Sequence, residues 1–154
     1  MNATEQDCEF CAIVRGEDAS TQIIIERPTW LAFFPLNPAT PGHTLIIPRA
    51  HIVDLWEVQP ALGQDLMDAV LRVGRGIETA LKPEGMNLIT SAGRVAEQTV
   101  FHLHLHVVPR WRKDGFGRIW PTEGRFEDED LGDVAARIRT ALSESTEVGP
   151  ETRA

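Results

Sequence analysis

The stretch Gln98-Thr99-Val100-Phe101-His102-Leu103-His104-Leu105-His106-Val107-Val108-Pro109 carries three of the chain's five histidines at two-residue spacing. Leu, Leu and Val stand after them, and an alternation of period two is the pattern of a β-strand, which sends successive side chains to opposite faces. The spacing predicts aliphatic side chains against a core and three imidazoles on the other face at intervals of about 6.6 Å. A row of imidazoles does little for a core, because each ring nitrogen needs a partner or costs free energy. The stretch therefore reads as chemistry carried on a β-strand, with one face against a core.

The remaining elements are read outward from this strand. Residues 86–90 form a strand before it, joined by a loop over 91–97. Leu62, Leu66, Val70, Val73, Ile77 and Leu81 recur at steps of four and three, the apolar stripe of an amphipathic helix. Pro60 stands near its start, and Pro83 with Gly85 stops it. Residues 22–26 and 30–36 read as two strands joined by a turn at Arg27-Pro28-Thr29. Residues 44–48 are a short buried strand, preceded by Asn37-Pro38-Ala39-Thr40-Pro41-Gly42, where the prolines remove donors and forbid regular structure. Leu131, Val134, Ile138 and Leu142 mark a C-terminal helix, and the charge run Asp128-Glu129-Asp130 suits its N-terminus. Strands in neighbouring hairpins with one long helix suggest an α+β domain with an antiparallel sheet. It is expected to span 8–142, between flexible tails at 1–7 and 143–154.

The 154 residues are a one-domain length, and 42% hydrophobic with 25% charged residues is ordinary for a water-soluble domain. A net charge of −8 argues against a nucleic-acid polymer as partner. It leaves room for a small phosphorylated ligand held by local donors. There is no apolar run of membrane-spanning length and no signal-peptide pattern. With only two cysteines, this predicts a cytoplasmic protein with no membrane partner.

Cys8-Glu9-Phe10-Cys11 admits three readings: buried thiols, a redox dithiol, or half of a tetrahedral zinc site completed by histidines such as His51 and His102. His43, at the mouth of the 44–48 strand, suits a satisfied hydrogen-bonding residue as well as a ligand. The loop Gly93-Arg94-Val95-Ala96-Glu97-Gln98-Thr99 offers backbone, amide and hydroxyl donors to an anion just before the histidines. The tryptophans at 30, 56, 111 and 120 read as packing.

His102-Leu103-His104-Leu105-His106-Val107-Val108 resembles the motif that names the histidine triad (HIT) family, His-φ-His-φ-His-φ-φ with φ apolar. The segments 8–14, 31–33, 37–48 and 85–89 are similar to that family's successive blocks, in the same order, so that the resemblance covers about residues 8–112. It implies the HIT fold: a five-stranded antiparallel sheet with one long helix, here followed by a C-terminal helix, and a homodimer. It also implies a nucleotide hydrolase or transferase acting at the α-phosphate of a nucleoside phosphoramidate, adenylate or dinucleoside polyphosphate, with a purine nucleotide as partner. In that scheme His104 is the nucleophile and forms a nucleotidyl-histidine intermediate, with its other nitrogen held by the His102 carbonyl. His106, Gln98 and Thr99 meet the phosphate oxygens, and His43 supports the network.

The base and ribose pocket is expected to draw on Phe10, Phe33, Leu36 and Asn37. The zinc-carrying bacterial members imply a structural zinc on Cys8, Cys11, His51 and His102, with no catalytic metal and no organic cofactor. Two places depart from the family pattern. Pro35 stands where many members have an acidic residue for the ribose hydroxyls, and Ser91-Ala92-Gly93 stands where an Asn-containing segment is common. Two other classes remain. One is a metalloenzyme with catalytic zinc on the histidine strand, which a closed two-thiolate site would argue against. The other is a non-catalytic nucleotide-binding or interaction protein on the same fold, against which the intact His104 argues.

Overall fold

The computed structural model describes residues 5–121 and 131–145, in two compact units divided between Gly117 and Arg118. In the first unit, five strands form one antiparallel sheet in the order β1-β2-β3-β5-β4. They are β1 (Ile23–Glu26), β2 (Trp30–Phe33), β3 (Thr44–Pro48), β4 (Gly85–Ile89) and β5 (Leu105–Arg110). The α+β class and the five-stranded antiparallel sheet expected from the sequence are what the structure contains.

Alternation along β3 and β5 divides the core in two. Ile46, Leu103, Leu105 and Val107 pack with Trp30 and Ala32 against Leu66, Ala69, Val73 and Ile77 of the long helix α2 (Pro60–Leu81). On the opposite face Leu31, Phe33, Leu45 and Ile47 pack with Cys8, Phe10, Cys11 and Ile13 of a short helix α1 (Glu9–Val14) and its cap. α2 starts with proline at its first helical position and ends at Lys82, whose left-handed φ of 49° closes the last turn ahead of Pro83. The α2 stripe is buried at Leu66, Val73 and Ile77, whereas Leu81 stays 42% exposed beside Gly42. Gly42 has φ +83°, and a Cβ there would collide with Leu81 Cδ1.

The histidine stretch is only half a ladder strand. β5 begins at Leu105, one residue beyond His104, because the backbone before it bonds elsewhere: Leu103 N–H donates to the Ile52 carbonyl at 2.6 Å. The alternation survives without the ladder, so the predicted separation of leucines and imidazoles onto two faces holds. The strand expected over 30–36 stops at Phe33, ahead of Pro35. The loop over 91–97 contains a single 3-10 turn at Arg94–Ala96. In the second unit, α3 (Leu131–Ser145) is the expected C-terminal helix and runs three residues past 142. The charge run at 128–130 lies outside the described residues. Among the described residues no helix is long and apolar enough to cross a membrane.

Candidate functional site

Two clusters of histidines share the α1 face of the sheet, and His102 links them. Fixed partners settle which nitrogen of each neutral ring carries the proton, since a carbonyl only accepts and a backbone N–H only donates. His104 Nδ1 lies 2.8 Å from the His102 carbonyl, so Nδ1 is the protonated nitrogen and Nε2 keeps its lone pair. His43 Nδ1 accepts from Ala39 N–H at 3.0 Å, which puts its proton on Nε2. That proton is donated to His106 Nδ1 at 2.9 Å, which leaves His106 with N–H at Nε2. The outcome is an unprotonated Nε2 on His104 beside a donor Nε2–H on His106, with ring centroids 4.9 Å apart.

Burial maintains these neutral states. His43 and His104 are both buried, and desolvation holds each below the ordinary imidazole value. His106 is brought down from 6.5 to about 4, by burial first and then by the fields of His104 and His43. Phe10 contributes to the dry surroundings, meeting the His104 ring edge-on at 5.3 Å and the Phe33 ring at 5.6 Å.

The second cluster is Cys8, Cys11, His51 and His102, whose Sγ and ring-nitrogen atoms all lie within 4.8 Å of one another. The Cys8 and Cys11 sulfurs stand 3.6 and 3.5 Å from His102 Nδ1, and Cys11 Sγ is 3.2 Å from His51 Nδ1. With Zn–S about 2.3 Å and Zn–N about 2.0–2.1 Å, a tetrahedral site has S···N edges of about 3.5 Å. The protonation states fit as well. His102 Nε2 donates to the Pro48 carbonyl at 2.9 Å, which frees Nδ1 as the ligand. Burial, followed by the neighbouring Cys8, pushes the Cys11 thiol up to about 12, so that a thiolate here calls for a cation. The four residues expected from the sequence are thus brought together in a cluster that fits structural zinc. Two sulfurs and two nitrogens fill a tetrahedron, which speaks against a catalytic zinc on the histidine stretch.

The other expected residues are distributed unevenly. Gln98 is 3% exposed and fully engaged: Oε1 accepts from Gly93 N–H, and Nε2 donates to the Val53 and Val100 carbonyls. Its own N–H goes to the Gly93 carbonyl, so the residue closes the 93–98 loop on itself. Thr99 is exposed, next to that loop. Phe33 is 2% exposed and belongs to the core, whereas Leu36 is 83% exposed; Asn37 is exposed and Pro35 half-buried. Ser91, Ala92 and Gly93 are half-buried. Four partners escaped the sequence reading: the Ala39 N–H, the carbonyls of Pro48 and Ile52, and Thr90, whose hydroxyl donates to the His104 carbonyl at 3.0 Å. Three are backbone atoms, which residue type does not reveal.

The arrangement defines a class: one antiparallel sheet that carries an ordered imidazole array on one face, beside a Cys2His2 cluster. A model of the HIT domain matches residues 17–113, and the chain belongs to the HIT family. It is 35% identical over 142 residues to Protein hit of Bacillus subtilis, covering 91% of this chain and 97% of that protein. It is 33% identical over 119 residues to the adenylylsulfatase HINT3 of Arabidopsis thaliana, covering 77% and 58% of the two chains. Among solved structures it is similar to a HIT family protein of Bacillus anthracis, with TM-score 0.81, 31% identity and coverage of 92% and 99%. It is also similar to a zinc-bound histidine triad family protein of Mycobacterium smegmatis, with TM-score 0.64, 34% identity and coverage of 95% and 100%.

Proposed function

We propose that this protein is a nucleotide hydrolase or nucleotidyltransferase acting at an α-phosphate through a covalent His104 intermediate. One observation carries the reading: fixed backbone partners leave His104 Nε2 as a lone pair, with a donor N–H on His106 beside it. His104 Nε2 attacks phosphorus, the bond from phosphorus to the leaving group breaks, and the leaving group departs with that electron pair and takes up a proton. Water then attacks phosphorus of the nucleotidyl-histidine, returns the lone pair to Nε2 and releases the nucleoside monophosphate. In a transferase another nucleophile takes the place of water.

As phosphorus is attacked, positive charge develops on the His104 ring, and the His102 carbonyl facing Nδ1–H stabilises it. His106 Nε2–H faces the negative charge growing on phosphate oxygen. Thr99 adds a hydroxyl from the loop end. Gln98, with both amide hydrogens committed to carbonyls, acts by holding the 93–98 loop rather than by touching phosphate. Zinc on Cys8, Cys11, His51 and His102 would supply a staple between α1 and the residues around His102, and no chemistry at phosphorus.

The substrate class is a purine nucleoside phosphoramidate, an adenylate or a dinucleoside polyphosphate, and the similarity to an adenylylsulfatase favours adenylates. Leu36 and Asn37, exposed beyond β2, are the side chains available to nucleoside, while Phe10 and Phe33 form the packed backing. The protein works in the reducing cytoplasm, where buried free thiols persist. It works as a homodimer: β4 is an open sheet edge with Met86 and Leu88 exposed, and Met67 and Leu71 are exposed on α2. The test is turnover on a panel of adenosine and guanosine phosphoramidates, adenylates and dinucleoside polyphosphates, with product identification. Release of a nucleoside monophosphate from at least one class is expected, and inertness toward all of them, with nucleotide bound, would transfer the protein to the binding-only class.

A further inference from the structure

His104 lies in an unusual place for a residue that must be held rigidly. The ladder of β5 begins one residue later, with Leu105 opposite Ile46 and His106 opposite both Leu45 and Ile89. Among the described residues His104 itself therefore has no partner in register on either side. Its ring is oriented by a bond to a carbonyl only two residues back, so that bond is as precise as the torsions of residues 103 and 104. Two contacts outside the ladder hold this segment. Leu103 N–H is fixed to the Ile52 carbonyl, and the His104 carbonyl is fixed by the Thr90 hydroxyl at 3.0 Å.

We infer that Thr90 is a positioning residue for the nucleophile, replacing with its side chain the ladder bond that the sheet does not supply at His104. Thr90 directly follows β4, half-buried, where the pairing of β4 with β5 ends at Ile89 and His106. A hydroxyl on that residue extends the restraint past the end of the ladder to the catalytic strand. Without it the His104 carbonyl end of the 104–105 peptide, held otherwise only through Leu105 in the ladder, tilts more widely, and the Nδ1–H to His102 carbonyl bond loosens with it. His104 then samples the other tautomer, with Nε2 protonated and unable to attack. Threonine suits the place because its β-branch limits χ1 while its hydroxyl donates.

The inference rests on His104 being the nucleophile, so its test has one arm that reads turnover and one that does not. Thr90→Val keeps the shape and deletes the donor, and Thr90→Ser restores the donor. In the first arm kcat and KM are measured for wild type and both variants. In the second the tautomer of His104 is read from the nitrogen chemical shifts of the ring. The expected result for Thr90→Val is a fall in kcat of about tenfold, the worth of one hydrogen bond to a catalytic strand, with KM unchanged. A larger share of Nε2-protonated His104 accompanies it, and Thr90→Ser returns both readings to wild type. A rise in KM at constant kcat would mean that Thr90 touches substrate, and overturns the assignment. So does a loss that serine fails to rescue, which makes the role one of packing, or a tautomer population that valine leaves unchanged. If wild type proves inert on every substrate, the proposed activity fails while the tautomer arm still decides the role of Thr90.

Discussion

Replacing His43 with alanine severs two hydrogen bonds at once, and the structure identifies both. The ring accepts from Ala39 N–H at 3.0 Å and donates to His106 Nδ1 at 2.9 Å, and the residue is 6% exposed. Two such bonds at about 0.5–1.5 kcal/mol each give a loss of about 1–3 kcal/mol of stability, a range that water entering the gap lowers and the lost packing of a buried ring raises. Catalysis loses the restraint on His106, so kcat should fall about tenfold while KM changes little. The pH dependence should change as well. In the folded protein His106 titrates near 4 rather than 6.5. Between those values the unfolded chain binds more protons than the folded one. The contribution of His106 to stability is therefore full above about pH 6.5 and is lost as pH falls toward about 4. Alanine at 43 opens the site to water and removes a neighbouring imidazole whose field opposes protonation of His106, so the His106 value rises toward 6.5 and this slope flattens. Urea unfolding at pH 7, 5.5 and 4.5, with steady-state kinetics at pH 7, measures all three effects. Wild-type kcat and an unchanged stability slope in His43→Ala would refute the relay.

Protein purified without added metal should carry about one zinc per chain, and Cys11→Ser or chelation should lower the melting temperature more than the rate at low temperature. Metal analysis together with thermal melts checks this, and a stable, metal-free wild type would discard the zinc. Pro35 has no side-chain acceptor for ribose hydroxyls, so AMP and deoxy-AMP should bind with similar affinity, and Pro35→Asp should add ribose preference. Calorimetry with both nucleotides decides it, and a strong ribose preference in wild type that survives Asn37→Ala would assign the sugar to backbone atoms. Gln98→Leu strips three side-chain bonds to backbone groups and should speed amide exchange at Gly93 while costing about 1.5–4.5 kcal/mol. Unaltered exchange at Gly93 would return Gln98 to the phosphate.

Both faces of the sheet were legible because alternation is a property of the extended backbone, whether or not a ladder forms. Leu103 and Leu105 reach α2 while His102 and His104 reach α1, even though β5 starts only at Leu105. The α2 stripe was legible for the same periodic reason, though Ala69, buried against the sheet, is too small to register in such a pattern. The cysteine spacing alone left three readings, and the resemblance selected the ligands that the fold then gathered. What remained hidden was the use of polar atoms. Gln98 reads as a donor to an anion, yet its amide is consumed by Gly93, Val53 and Val100. Phe33, expected at the pocket, is buried and meets the site through the Phe10 ring at 5.6 Å. The partners that set the tautomers of His43 and His102 are the Ala39 N–H and the Pro48 carbonyl, backbone groups that residue type does not reveal, whereas the His102 carbonyl that orients His104 was expected from the resemblance.

On the proposed mechanism His104 Nε2 becomes covalently bonded to phosphorus during turnover. Rapid mixing with substrate, quenching in base and mass analysis of the peptide containing residues 102–106 tests it directly, since a phosphorus–nitrogen adduct on histidine survives base and is lost in acid. A nucleotidyl adduct on His104 should form and decay within the time of one turnover. In His104→Ala the adduct and the activity should vanish together, while nucleotide binding is retained. Near-normal turnover by His104→Ala, or an adduct on any other residue, would contradict it.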